Sequence, residues 1–256
     1  MRSGTLPLSI QVDSDIFATF VPHRVRYEHV KLGLDISTHS AIDGPMPLLR
    51  HLDLDPTGEN TVGITIHDVP LLRTVILTGI IVSRVNLPWE QLTSLTLKLV
   101  LPGECVPILQ QSPNLVHCTL HLWTRSQVIN HLGPEITLPR LDSLVLKMSH
   151  GAVVTGFLPT LIVPALRSLN CSEQVLESNL VDSLKSFISK SGCQMGHVRV
   201  TGISRVSSEL NSFRDAFPSI RNFVFAGPDD TTDDEASDDE GNSSDASDDK
   251  SSSDSE

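Results

Sequence analysis

Residues 92–122 read LTSLTLKLVLPGECVPILQQSPNLVHCTLHL, and their spacing decides the fold. Leu92, Leu95 and Leu97 open the stretch as L-x-x-L-x-L. Side chains alternate between faces along a strand, so Leu95 and Leu97 point together toward a core. A short helix is predicted over Gly103–Gln111, and the triplet then returns as Leu115, Cys118 and Leu120, 23 residues after Leu92. A strand, a helical return and a second strand in about two dozen residues make one turn of a repeat. One such turn cannot cover its own apolar side, so it demands neighbours.

Working outward, the same triplet occurs ten times. The earlier copies are Thr5/Leu8/Ile10, Tyr27/Val30/Leu32, Leu49/Leu52/Leu54 and Leu72/Val75/Leu77. After Leu115/Cys118/Leu120 come Leu141/Leu144/Leu146, Leu166/Leu169/Cys171, Met195/Val198/Val200 and Ile220/Phe223/Phe225. First positions lie 20 to 29 residues apart, and the outer two copies at each end need tolerance for substitution. A proline recurs two residues before the triplet, at Pro47, Pro70, Pro113, Pro139, Pro164 and Pro218. It donates no backbone hydrogen bond and so marks the passage from loop to strand.

Helical returns are predicted over Ser126–Leu132, Gly156–Ile162, Leu176–Lys190 and Ser207–Phe217. Within the third, Leu180, Val181, Leu184, Phe187 and Ile188 form a buried stripe that Ser191-Gly192 ends. Earlier returns such as Thr57–Asp68 read as irregular loops. The fold class expected is therefore α/β: a leucine-rich-repeat-like solenoid of about ten degenerate coils. A parallel sheet would line its concave side, with right-handed crossovers through helices and loops on the convex side. The position three after each triplet reads Asp13, Asp35, Thr57, Ile80, Val100 and Trp123 in the first six coils, so there is no asparagine ladder.

The net charge of −12 belongs to one segment. Residues 229–256 hold 13 acidic residues and one lysine, while the other 228 residues hold 18 of each sign. With only Ala236 and Ala246 as apolar residues, the acidic stretch cannot offset its ordering entropy. Two parts are expected: a repeat domain over residues 1–227 and a disordered, Ser/Asp-rich acidic tail over 228–256. A neutral body followed by an acidic tail disfavours nucleic acid as a partner. The longest near-continuous apolar run, Val75–Val82, is far short of the ~18 residues of a membrane span. No signal peptide opens the chain, so a cytoplasmic or nuclear monomer in a thiol-reducing location is expected.

Enzyme signatures are missing: there is no G-x-S-x-G elbow and no H-E-x-x-H helix. Gly151–Gly156 has P-loop glycine spacing, but Phe157 stands where a lysine must reach phosphate. The four cysteines form no C-x-x-C pair. His117 and His121 share one strand, yet two ligands leave a zinc site incomplete. No catalysis, no metal and no cofactor are expected.

Binding is read instead from the outward residues of the sheet. One row just after each triplet contains Lys98, His121 and Lys147, with Thr96 and Thr119 in the row beside it. Parallel strands lie ~4.8 Å apart, so these residues are expected to form a cationic strip for an acidic or phosphorylated peptide. The acidic tail is itself a candidate occupant. In that tail Thr231, Thr232, Ser237, Ser251 and Ser253 each have an acidic residue three positions on, the pattern of acidophilic kinases. Each phosphate would add ~1.5–2 negative charges.

The sequence also resembles a family: the F-box/leucine-rich-repeat proteins of mushroom-forming fungi. The resemblance rests on RSGTLPLSI (2–10), GPMPLLRHLDL (44–54), VPLLRTVIL (69–77) and LPWEQLTSLTL (87–97). It continues in PGECVPILQQSPNLVHCTL (102–120), LVDSLKSFISKSGC (180–193) and AFPSI (216–220). In that family an F-box holds the Skp adaptor of a cullin–RING ubiquitin ligase and the repeats hold the substrate. The family's F-box precedes the segment resembling Arg2–Ile10, where this chain starts. The resemblance thus implies a substrate-receptor half without its F-box, binding the Skp adaptor only through an upstream F-box. The alternative is a nuclear protein similar in layout to the acidic leucine-rich-repeat phosphoproteins, which would bind basic proteins such as histones.

Overall fold

The triplets become strands laid side by side in chain order. The structure is a computed structural model that describes residues 6–12, 21–34, 44–56, 63–124, 134–149, 154, 156–176, 179–202 and 213–227. Its first seven strands are β1 (Leu8–Val12), β2 (Tyr27–Leu34), β3 (His51–Pro56), β4 (Ile64–Thr65), β5 (Thr74–Thr78), β6 (Val85–Asn86) and β7 (Ser94–Val100). The remaining seven are β8 (His117–Leu122), β9 (Ile136–Thr137), β10 (Ser143–Met148), β11 (Leu161–Ile162), β12 (Ser168–Ser172), β13 (His197–Thr201) and β14 (Asn222–Ala226). Ten of them form one sheet in the order β1-β2-β3-β5-β7-β8-β10-β12-β13-β14. Every pairing in it is parallel. The molecule is thus α/β with a large parallel sheet in which each strand pairs with the next one along the chain.

Nine triplets align in register. Val30 faces Leu52, Leu52 faces Val75, Val75 faces Leu95 and Leu95 faces Cys118. The row continues through Leu144, Leu169 and Val198 to Phe223. The first triplet does not fit. Ile10, not Leu8, pairs with Val30, and Leu8 lies opposite Tyr27 before a register shift. The Arg26 guanidinium donates to the Leu6 carbonyl from Nε (3.0 Å) and from Nη2 (2.7 Å), which fixes where β1 begins. A two-residue slip keeps the apolar side chain on the core face, so it costs little. Ile10 is buried and Leu8 only half-buried.

The recurrent proline has a sharper role than strand entrance. In each of its six copies, the residue before it accepts a backbone hydrogen bond from the first triplet residue. Leu49 N–H donates to Met46 O, Leu72 to Val69, Leu115 to Ser112, Leu141 to Leu138, Leu166 to Val163 and Ile220 to Phe217. Proline therefore stands at the second position of a four-residue turn, where its fixed φ is wanted.

The returns form a second layer. The short strands pair as β4 with β6 and β9 with β11, both parallel. Helix α1 (Pro102–Gln110) links β7 to β8, and α2 (Leu180–Ser191) links β12 to β13. The Glu104 carboxylate accepts from Leu101 N–H at 3.2 Å at the head of α1. Asn179 Oδ1 accepts from Asp182 N–H at 3.3 Å at the head of α2, and Gly192, at φ 65°, closes its end. The core fills the space between sheet and returns, with triplet residues meeting Ile81, Cys105, Leu109, Ile136, Phe157 and Phe187. At the β14 end Phe213 packs on Phe223 and Phe225, ring centroids 5.4 and 4.9 Å away.

Two expectations are corrected here. Gly156–Ile162 is not a helix: Leu158–Thr160 is a 3-10 turn and Leu161–Ile162 is β11. The apolar spacing that predicted a helix is satisfied by a turn and a short strand, with Pro159 at the turn's start. Thr57–Asp68 is not wholly irregular, because it contains β4. Residues 213–216 are helical within the predicted Ser207–Phe217 return. The predicted helix Ser126–Leu132, residues 207–212 of that return and the acidic tail lie outside the described residues.

The register assignment makes a contrast that denaturant unfolding can read. Ile10→Ala is expected to cost about 2 kcal/mol or more, and Leu8→Ala distinctly less. Equal losses would mean that Leu8, not Ile10, is the inward residue of β1.

Candidate functional site

The face of the sheet turned away from the returns carries three rows of side chains. Burial alternates along each strand, so the residues between the triplet positions are the outward ones. In the middle row Thr96 pairs with Thr119, and Thr119 with Val145, so the two predicted threonines are neighbours. In the following row His121 pairs with Lys147, also as expected.

Lys98 departs from that regularity. It pairs with Thr78 on one side, but the ladder toward β8 shifts between Leu97 and Val100. Leu97 faces Leu120 and Val100 faces Leu122, which leaves Lys98 and Leu99 opposite His121 alone. Two residues against one is a bulge, and Leu99 takes its left-handed conformation at φ 54°. The bulge exposes Leu99 and returns Val100 to the core. Lys98 and His121 are thus near each other across an irregularity, not in a continuous row. Lys98, His121 and Lys147 are all half-buried, and each already has an interaction within the protein.

The charge pattern of the face extends well beyond these residues. The seven main-sheet strands from β5 to β14 read TVILT, SLTLKLV, HCTLHL, SLVLKM, SLNCS, HVRVT and NFVFA. They contain Lys98, Lys147, Arg199, His117, His121 and His197, and not one carboxylate. The carboxylates of the main-sheet strands are Glu28 on β2 and Asp53 and Asp55 on β3. Glu28 is paired with Arg50 at 3.0 Å, and Asp53 with Lys31 at 3.5 Å. Glu173, directly after β12, makes contacts of its own. Among the described residues, the acids therefore lie mainly outside the strands, and those of β5 to β14 contain none.

A third outward row was missed in the sequence. It sits one residue ahead of each second triplet position and contains His29, His51, His117 and His197 among hydroxyl residues. The His29 and His51 rings lie 6.0 Å apart, beside a concavity of about 290 Å³ also lined by Ser9, Gln11 and Lys31. Burial is the main cause that pulls the His51 pKa down. Asp53 opposes it, while His29 and Lys31 act with it. A larger concavity of about 600 Å³ lies where the strands begin, among Pro45, Pro47, Pro70, Pro88, Asp68 and Gln91. It touches none of the outward rows.

Among the described residues no three His, Cys, Asp or Glu side chains come together to hold a metal ion. Phe157, at the P-loop lysine position, is core. The phosphorylation candidates Thr231, Thr232, Ser237, Ser251 and Ser253 fall outside the described residues. No helix among those described is long and apolar enough to cross a membrane. Comparison with known proteins adds no relative: no family model, no curated protein and no solved structure matches the chain.

All four cysteines are unpaired and buried. Burial pushes the Cys118 and Cys171 thiols up from 9.0 to about 12. In the unfolded chain they ionise at their ordinary pKa, so between about pH 9 and 12 the unfolded state alone loses these protons. Stability is expected to be flat in this respect below pH 9 and then to fall with a slope of ~1.4 kcal/mol per pH unit per thiol. Comparing unfolding midpoints of the wild type and Cys118→Ala/Cys171→Ala from pH 8 to 11 checks this. The double variant should lose the share of the slope that these two thiols contribute, while buried Cys105 and Cys193 keep theirs.

Proposed function

We propose that this chain is a non-enzymatic protein-binding module, a leucine-rich-repeat-like solenoid whose sheet holds an acidic or phosphorylated segment of a partner protein. The single observation that carries the partner chemistry is the run of seven strands with three permanent cations, three histidines and no carboxylate. An acidic segment lying across them meets hydroxyl and amide donors from Thr96, Thr119 and Asn170 and favourable charge from Lys98, Lys147 and Arg199. It meets no like charge from the strands. Such complementarity mainly favours encounter and excludes basic competitors. The solenoid reading is supported by ten parallel strands in chain order and nine triplets in register.

The family resemblance extends this reading to a ubiquitin-ligase substrate receptor in the cytoplasm or nucleus, with Skp adaptor contact only through an F-box upstream. Affinity purification of the endogenous protein, tagged at its C-terminus, tests that extension. Recovery of the Skp adaptor supports it, and its absence removes the ligase role. The 13 acidic residues of 229–256 favour a second reading, electrostatic capture of basic proteins such as histones by the tail. Binding of that kind weakens steeply with ionic strength.

The module itself is tested with a fluorescein-labelled phosphoserine/glutamate peptide and anisotropy. Lys98→Glu/Lys147→Glu is expected to weaken binding about tenfold or more, because each attraction worth ~0.2–1 kcal/mol is replaced by repulsion. Lys185→Glu on α2 should leave it unchanged. Equal affinity in all three proteins would remove this face as the binding site.

A further inference from the structure

We propose that the β14 end of the sheet is a docking site of its own, where Arg214 and Arg221 hold a phosphate monoester carried on an extended segment of a partner protein. The site uses none of Thr96, Thr119, Lys98, Lys147 or Arg199, and it stands whether or not the outward rows bind anything.

Three observations carry it. The first is a pair of guanidiniums in one concavity. A recess of about 310 Å³ at the start of β14 has Arg214, Phe217, Arg221, Asn222 and Phe223 among its lining. Both arginines are exposed, and among the described residues their guanidiniums make no ion pair and no hydrogen bond. Other arginines are engaged: Arg50 pairs with Glu28, Arg167 with Asp142, and Arg73 donates to the Pro70 and Leu72 carbonyls. Asp215 follows Arg214 in the chain but does not line the recess, and no other carboxylate lines it. Two charges that no acid offsets match the dianion of a phosphate monoester, whose oxygens suit the planar fork of an arginine.

The second is an uncovered ring. Phe223 is the second triplet residue of its repeat, and its in-register counterparts from Val30 to Val198 are all buried. Phe223 is only half-buried, because β14 is the last strand of the described sheet. It stacks on Phe217, with centroids 6.1 Å apart and 19° between the planes. The group that carries the phosphate therefore meets an aromatic wall beside the two charges.

The third is the strand edge. Asn222 N–H donates to Gly196 O and Gly202 N–H to Ala226 O, each at 3.1 Å. Main-chain groups alternate in direction along a strand, so Asn222, Val224 and Ala226 face β13 while Phe223 and Phe225 turn theirs to the open edge. An extended segment that adds to this edge takes up those groups. Phe223 belongs both to the edge and to the recess, which sets the phosphate and the main chain of one segment side by side. That juxtaposition favours a protein segment over a free phosphate ester.

The test uses the full chain and a fluorescein-labelled, valine- and threonine-rich peptide with one phosphotyrosine. Arg214→Gln/Arg221→Gln is expected to weaken binding about tenfold or more, because charge-assisted hydrogen bonds are lost while the fold keeps its core. Removing the phosphate from the peptide should do the same, and Lys185→Gln on α2 should change nothing. Bound peptide should slow hydrogen exchange at the Phe223 and Phe225 amides about tenfold or more and leave β2 and β3 unaffected. Phenyl phosphate alone should shift the Asn222 and Phe223 amide resonances, and phenyl sulfate, a monoanion, should bind more weakly. Equal affinity of the wild type and the arginine variant overturns the proposal. So does a loss confined to Lys98→Glu/Lys147→Glu, which puts the phosphate on the outward face instead. Phosphate-dependent binding with no protection at β14, or phenyl phosphate binding as tightly as the peptide, overturns the extended segment.

Discussion

The structure depends on a shared carbonyl. In six successive repeats the residue after the first triplet position offers its C=O to two successive amides at the start of the next strand. Arg50 O accepts from Arg73 and Thr74, Arg73 O from Thr93 and Ser94, and Thr93 O from Val116 and His117. The same arrangement continues at Val116, Asp142 and Arg167. It ties the turn before each strand to the strand itself. The sideways step of every unit is then fixed before any side chain packs. Ion pairs Glu28–Arg50 and Asp142–Arg167 lie along this line with their arginines exposed and their acids half-buried, so they contribute little beside the backbone.

Fixing the step has two outcomes. Inward, the triplet residues stack into continuous aliphatic columns, which explains how a chain with 4% aromatic residues fills a core. Cysteine fits these columns as a small apolar residue at Cys118 and Cys171. Outward, the same step converts a position in the repeat into a row across the sheet. A preference for Ser, Thr and His at one position, repeated along the sheet, becomes a polar surface. Residues far apart in the chain, such as Lys98 and Arg199, come to share one face this way.

The register was readable because Leu, Val and Cys at the second and third positions admit only one inward alignment. It failed at the first strand, where Leu8 and Ile10 are both apolar and a two-residue slip changes no face. The helix expected over Gly156–Ile162 failed because Phe157, Leu158, Leu161 and Ile162 satisfy two geometries at once. The bulge at Lys98–Leu99 was hidden for a similar reason: alternation buries Leu99, whereas cross-strand pairing buries Val100 against Leu122. The histidine row and the missing carboxylates were present in the repeat all along. They are properties of columns and emerge once strand boundaries are drawn. The concavity beside His29 and His51 depends on the β1 register and had no signal of its own.

The stack of parallel strands also has a direction. Its two outermost described strands, β1 and β14, present different edges, and neither is the mirror of the other. If two copies met edge to edge they would repeat the internal step, joining the tail end of one to the head of the next. Such a contact has no axis that closes it into a pair, and each addition recreates the edge it consumed. Mass action on this geometry leads to filaments of indefinite length.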